Sequence, residues 1–255
     1  MSEPADINSL AETLTEPRAE ELRRRLDLVR ARIDTARIAS GRTDEVHLVV
    51  VTKFFPTADV LTLARLGVTE IAENKIQEAA AKFDEIPRTR LARHFVGQVQ
   101  TNKARAVAQW ADVVQSVDRP RLIHALDRAA QGAGRRLQVL IQVGLDDAHH
   151  ERPDPVLPGG ARGGAAPAEV PALAEAVAAC DGLQLRGVMA VAPLGGDPRA
   201  AFARLALVAE RVRRDHAGAT WISAGMSGDL EQAVAAGATH LRVGTAILGS
   251  RPSHR

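Results

Sequence analysis

The chain holds 33 basic residues, but only four of them are lysines: Lys53, Lys75, Lys82 and Lys103. Lys53 closes the apolar run Val49-Val50-Val51-Thr52. Arginine would supply surface charge equally well, but its guanidinium stays protonated and cannot attack a carbonyl, whereas an ammonium drawn out of water can lose its proton. Schiff-base chemistry is therefore the first expectation for Lys53. The ordinary alternative is a solvated strand end with the lysine stem lying over apolar neighbours. Phe54-Phe55-Pro56 follow directly and contain two of the five phenylalanines. They predict dry surroundings for Lys53, and burial favours the neutral, nucleophilic amine.

A second group of residues points to an anion. Ser227-Gly228-Asp229-Leu230-Glu231 reads as the opening of a helix, where unsatisfied backbone N–H groups favour phosphate. Gly244-Thr245 adds close backbone approach and a hydroxyl. An ordinary reading stays open here too, with Ser227 or Asp229 as a plain N-cap and Gly237 as a plain helix stop. Taken with a lysine at the end of the first strand, these residues suggest one ligand carrying both an aldehyde and a phosphate, pyridoxal 5′-phosphate.

The elements that must position these groups follow a regular rhythm. Glu16 to Ala39 carries Leu22, Leu26, Val29, Ile33 and Ile38 at helical spacing and stops at Gly41. Eight strand candidates then alternate with helices: His47–Thr52, Val68–Ala72, Arg93–Gly97, Asp112–Ser116, Leu137–Val143, Gln184–Ala190, Thr220–Ser223 and His240–Val243. The intervening helices are expected over Ala58–Leu66, Gln77–Phe83, Asn102–Ala108, Pro120–Ala133, Ala168–Cys180, Pro198–Asp215 and Leu230–Ala236. Such alternation implies a parallel sheet, and eight strands after a leading helix fit a closed (β/α)8 TIM-type barrel with an extra N-terminal helix. No Gly-x-Gly-x-x-Gly follows the first strand, which disfavours a dinucleotide fold. The expected organisation is a flexible tail over 1–15 and one barrel domain over 16–255, with a mobile loop near 146–167 rich in Asp, His, Pro, Gly and Arg. In a barrel the chemistry gathers just past the strand ends, which directs attention to Lys53, Glu73-Asn74-Lys75, Gln98, Asp118-Arg119, Ser223 and Arg242.

Composition narrows the function classes. A net charge of +2 with mixed signs offers no dense basic stripe for nucleic acid. One cysteine, Cys180, excludes an internal disulfide framework, and no run of about 20 apolar residues offers a membrane span. Without a basic-then-apolar leader the chain is expected in the cytoplasm. Trp110 and Trp221 are expected as core packing. His149-His150 lies in the polar loop with no carboxylate or cysteine cluster around it, so no metal site is expected.

The chain resembles the pyridoxal phosphate homeostasis proteins, barrels similar to the barrel half of alanine racemases. The resemblance runs in order through Val51-Thr52-Lys53, Glu73-Asn74-Lys75-Ile76-Gln77-Glu78, His94 to Lys103, Ser116-Val117-Asp118, Gly187-Val188-Met189, Gly225-Met226-Ser227 with Asp229, and Val243-Gly244-Thr245 to Gly249-Ser250-Arg251. It covers roughly residues 20 to 252. It implies that Lys53 holds the cofactor as an aldimine, that Ser227, Gly244 and Thr245 hold its phosphate, and that Asn74, Ser223 and Arg242 line it. An arginine at the pyridine nitrogen keeps that nitrogen unprotonated and weakens the ring as an electron sink. The chain departs from the family at Ala224, where a larger residue is usual, and over Asp146–Pro167, where the family has a short Asn-x-x-x-Glu-x-x-Lys pattern.

Racemases of the similar barrel pair the lysine with a tyrosine from a second domain, and this chain has no tyrosine. The expectation is therefore a monomeric carrier that buffers pyridoxal phosphate, or delivers it by transient contact with apo-enzymes, with no nucleic-acid or membrane partner. The alternatives are a pyridoxal-phosphate-dependent racemase or lyase using His94 or a water chain as second base, and a phosphosugar aldolase with a substrate Schiff base.

Overall fold

Period-two strands alternating with amphipathic helices should close on themselves, and they do. A computed structural model describes residues 15–83, 86, 91–145 and 163–250. The elements in order are α1 (Glu16–Ala39), β1 (His47–Val51), α2 (Thr57–Arg65), β2 (Glu70–Glu73), α3 (Ile76–Lys82), β3 (Ala92–Phe95), α4 (Ala104–Trp110), β4 (Val113–Val117), α5 (Pro120–Gly132), β5 (Leu137–Gln142), α6 (Val170–Ala178), β6 (Leu183–Met189), α7 (Pro198–Asp215), β7 (Trp221–Ser223), α8 (Leu230–Ala235), β8 (His240–Val243) and α9 (Thr245–Leu248). The strands pair in parallel in chain order, and β8 closes onto β1 with Val49 opposite Arg242 and Val50 opposite Val243. This is the (β/α)8 barrel with a leading helix that the strand count implies.

Alternation divides each strand between two cores. Val114, Val139, Ile141 and Val188 pack outward into the main apolar layer beneath the helices, while their neighbours Val113, Leu140 and Met189 form a separate small cluster on the opposite face, inside the barrel. Val49, opposite Arg242 in the register, is buried on this inner face too, and polar groups share it: His94, Gln115, Ser223, His240 and Arg242 are all buried.

The leading helix fills the seam where the barrel closes. Leu22, Leu26, Val29 and Ile33 recur at three- and four-residue intervals and are buried. Pro17 in the first turn suits a helix start, and Gly41 turns the chain away at a φ of 66°. The helix packs on α2, α8 and α9. Arg18 joins the two ends of the chain, donating from Nη2 to Asp59 at 2.7 Å and to the Leu248 carbonyl at 3.0 Å.

Several sequence expectations need correction. β2 starts at Glu70 and not Val68, and a 3-10 turn over Thr101–Lys103 precedes α4. α9 was not expected, because four residues are too few for a period to show. Trp110 is core, in edge contact with Phe83 and Phe95, but Trp221 is only half-buried, with the Arg186 guanidinium 4.3 Å from its ring. The expected tail lies outside the described residues except for Thr15, as do 146–162 of the expected mobile loop, His149 and His150 included. Residues 163–167 are described, and they are anchored: Ala165 bridges to Val143, and the Gly163 carbonyl accepts from Gln142 Nε2.

At the N-terminal end of the barrel, side chains from four strands interact. His47 Nδ1 lies 2.8 Å from Glu70 Oε1, and His94 Nε2 lies 3.2 Å from Glu70 Oε2. His240 stacks on His47 at 4.7 Å with 10° between the rings. His47, Glu70 and His240 bring their donor atoms within 4.8 Å, but parallel rings direct their in-plane lone pairs side by side and not at one point, so the trio is not arranged as a metal centre. Burial tends to raise the Glu70 carboxyl, yet hydrogen bonds from His47 and His94 outweigh it and hold Glu70 well below the usual range. Bonding to Glu70 raises His47. Burial pushes His240 down to about 3, against the attraction of Glu70 and with help from His47, His94 and Arg186.

The sign for His240 follows from linkage. It stays neutral in the fold while its unfolded counterpart takes a proton below about pH 6.5, so its contribution to stability is present above that pH and lost as pH falls. His47 acts in the opposite direction, so the comparison must isolate His240. Unfolding free energies of the wild type and His240→Gln, measured from pH 7.5 to 4.5, should converge as pH falls, by up to about 1.4 kcal/mol per unit. Parallel profiles would contradict this assignment.

Candidate functional site

The first strand delivers Lys53 through a turn locked by a buried ion pair. Past β1, Thr52 extends the ladder by donating its N–H to the Ala72 carbonyl at 3.0 Å. Its hydroxyl donates to Glu73 Oε1 at 2.7 Å. Lys82 reaches back from the end of α3 to the same oxygen at 2.6 Å and to the Thr52 carbonyl at 2.9 Å. Glu73 is fully buried, and the Lys82 side chain is 11% exposed. Ionised groups this deep hold together only when paired and hydrogen-bonded, so the ends of β1, β2 and α3 are fastened at one node directly before Lys53. Phe54 then takes a left-handed φ of 71°, a costly conformation for an aromatic residue. Its ring lies 5.7 Å from Lys53 Nζ. Lys53 is half-buried, less dry than the two phenylalanines led one to expect.

The last two strands deliver the opposite wall. Ser227 Oγ lies 3.3 Å from Thr245 Oγ1 and accepts from the Ala246 N–H at 3.2 Å, which stitches the start of α9 to the loop before α8. Asp229 Oδ1 accepts from the Met226 N–H at 2.6 Å and tightens that loop. Arg32 of α1 donates to the Ser227 carbonyl at 3.2 Å and pairs with Glu231 at 2.8 Å. Gly225 is required here. Its φ is 89°, and a Cβ would stand 2.5 Å from that of Ala233.

Arg242 comes up between these walls from β8. It is 5% exposed, donates from Nη1 to Ser223 Oγ at 2.7 Å and from Nη2 to the Ala190 carbonyl at 2.8 Å. Burial pulls its pKa down to about 10, against the attraction of Asp229.

One cavity of about 410 Å³ at the C-terminal mouth collects these groups. Its lining includes Lys53, Phe54, Phe55, Ser227, Arg242 and Thr245, with Gly244 in its wall. The volume lies in the range of small-ligand sites. Aromatic walls, one primary amine, two hydroxyls facing each other and a buried guanidinium suit a flat ligand with a carbonyl on one side and an anion on the other. Of the residues singled out in the sequence, Lys53, Ser227, Arg242, Gly244 and Thr245 border this cavity. Ser223 does not; it is fully buried behind Arg242. Asn74 ends β2 outside the lining, with its Oδ1 buried and without a hydrogen-bond partner. The backbone of Gly97 comes so close to the Asn74 carbonyl that a Cβ there would sit 2.1 Å from its oxygen. His94 is 1% exposed inside the barrel and engaged by Gln115 and Glu70, so it is no base for this cavity.

Sequence reading passed over Lys82 and Gln115. Lys82 carried a signal, as one of only four lysines. Gln115 carried a weaker one, a polar residue inside the apolar run of β4.

The model of the alanine racemase N-terminal domain family matches residues 25–252. A pyridoxal phosphate homeostasis protein of Mycobacterium tuberculosis is 41% identical over 92% of this chain and 94% of its own length. One from Escherichia coli is 34% identical over 88% and 94%. The structure of PipY from Synechococcus elongatus with PLP bound superposes with a TM-score of 0.73 at 31% identity, over 89% of this chain and all of that one.

The buried node makes a directional prediction. Lys82→Met should destabilise the protein by about 3 kcal/mol, because it strands the Glu73 carboxylate without its cation. Adding Glu73→Gln should recover much of that loss. Urea denaturation of the two single variants and the double variant checks both values, and additive losses would exclude coupling.

Proposed function

Because this chain belongs to the pyridoxal phosphate homeostasis protein family, we propose that it binds pyridoxal 5′-phosphate at the C-terminal mouth of its barrel and buffers or delivers it without turning over a substrate. The observation that carries this reading is the single cavity bordered at once by Lys53, Arg242 and the Ser227–Gly244–Thr245 wall.

Each residue has a task. The Lys53 amine condenses with the aldehyde carbon and releases one water, holding the ligand covalently yet reversibly. The hydroxyls of Ser227 and Thr245, with the backbone at Gly244, receive the phosphate. Arg242 meets the pyridine nitrogen as a fixed donor that keeps it unprotonated, with Ser223 behind it. Asn74 offers its unpartnered carboxamide oxygen from the end of β2. When bound, the cofactor supplies an electron sink, and a guanidinium at its nitrogen weakens that capacity.

The carrier reading rests on what the lining lacks. Among the described residues, Lys53 is the one group bordering the cavity with the chemistry of a general base, since no His, Asp, Glu, Cys or Tyr joins it. Two-base racemisation requires a second. In this reading the protein works as a monomer in the cytoplasm, keeping a reactive aldehyde away from indiscriminate amines and passing it to apo-enzymes by transient contact.

Addition of pyridoxal phosphate to the purified protein should produce the visible absorbance of a protonated Schiff base, and Lys53→Ala should lose that band while keeping the wild-type circular dichroism. Borohydride reduction followed by peptide mass measurement should place a pyridoxyl group on Lys53; a sugar fragment there would point to an aldolase instead. Incubation with common amino acids in deuterated water should leave their α-protons in place, and rapid exchange would replace the carrier with a racemase or lyase.

A further inference from the structure

Arg242 is joined to the other end of the barrel by a chain of side chains, one link of which joins strands that no ladder connects. Its Nη1 donates to Ser223 Oγ at 2.7 Å, and Ser223 Oγ donates to Gln115 Oε1 at 2.7 Å. Gln115 Nε2 stands 2.8 Å from His94 Nδ1, and His94 Nε2 stands 3.2 Å from Glu70 Oε2. Ser223 belongs to β7 and Gln115 to β4, and the barrel order separates those strands by β5 and β6. The bond between them therefore crosses the lumen. Gln115 and Ser223 are each 0% exposed, so no water competes for their donors and acceptors.

The polarity of the chain is fixed from its cationic end. A guanidinium can only donate, so Ser223 Oγ accepts from Arg242 and turns its own proton to the Gln115 oxygen. That leaves the Gln115 amide nitrogen facing His94, whose Nδ1 accepts from it. The three hydrogen bonds run in the same sense, from the guanidinium toward His94, an order in which neighbouring hydrogen bonds polarise and strengthen one another.

We propose that Gln115 is a positioning residue for the cofactor: by fixing the Ser223 hydroxyl as an acceptor toward Arg242, it holds the guanidinium in the orientation that meets the pyridine nitrogen. This inference rests on the pyridoxal phosphate reading and deepens it. Gln115 itself does not border the cavity and acts through Ser223 and Arg242. The arrangement explains why a buried strand position, flanked by Val114 and Ser116 and two residues from Val113, keeps a carboxamide.

The test uses the full chain loaded with pyridoxal phosphate labelled at its ring nitrogen. Gln115→Leu removes both arms of the amide, whereas Gln115→Glu keeps an oxygen for Ser223. In Gln115→Leu the ring-nitrogen chemical shift should move away from the wild-type value, and affinity should fall about fivefold, the effect of one buried neutral hydrogen bond. Gln115→Glu should retain the wild-type shift. The inference is overturned if Gln115→Leu binds with unchanged shift and affinity, or if both variants change alike, which would mark a merely structural role. If Gln115→Leu does not fold, Ser223→Ala breaks the chain one link later and should move the same signal; an unmoved signal there sinks the idea. Wild-type protein that forms no adduct at Lys53 overturns the underlying reading instead, and that outcome is recognised before any variant is compared.

Discussion

A guanidinium drawn almost wholly out of water, with only one edge at the cavity of the barrel mouth, organises the interior of this fold. Arg242 is 5% exposed, and an ion so placed is tolerated only if protein dipoles replace its hydration. The Ala190 carbonyl and Ser223 do so directly, Gln115 and His94 support Ser223, and Asp229 supplies the attracting countercharge. The usual filling of such barrels is layered branched aliphatics. Here the lumen is shared between apolar residues, among them Val49, Val113, Leu140 and Met189, and a polar chain that runs beside them.

The two ends of the barrel use ionisable groups differently. At the C-terminal mouth the Thr52–Glu73–Lys82 node gathers its bonds on one carboxylate oxygen and serves to fix a backbone. At the N-terminal end one carboxylate is shared between His47 and His94 while His240 stays neutral against the stack. The first arrangement gives Lys53 a rigid base. The second couples stability to proton concentration and makes no direct contact with the C-terminal mouth.

Much of the fold was legible because its signals are local. Apolar alternation located all eight strands to within a few residues, and α1 and α7 were placed with their exact ends. Lys53, Ser227, Arg242, Gly244 and Thr245 were legible because each sits at a junction of recognisable elements. What the sequence did not carry is the connection between them: Ser223 and Arg242 were singled out one by one, but nothing along the chain pairs a glutamine of β4 with a serine of β7 until closure brings them together. α9 escaped because a single helical turn shows no period. The dryness expected around Lys53 was overstated, since two aromatics beside a lysine do not ensure that both cover it: Phe55 is buried, but Phe54 turns through a left-handed backbone and leaves Lys53 half-exposed to the mouth.

The seam filled by α1 ties together residues far apart in the sequence. Its partners Leu248, Ser227 and Glu231 belong to the loops and helices around β8, and the bond from Arg18 to Leu248 spans 230 positions. Contacts of such sequence separation carry a large loop-closure entropy and form late. Until β8 and α9 come alongside β1, the amphipathic helix lacks much of the surface it covers. The mouth of the barrel, which α1 braces through Arg32, acquires its final shape only at that stage.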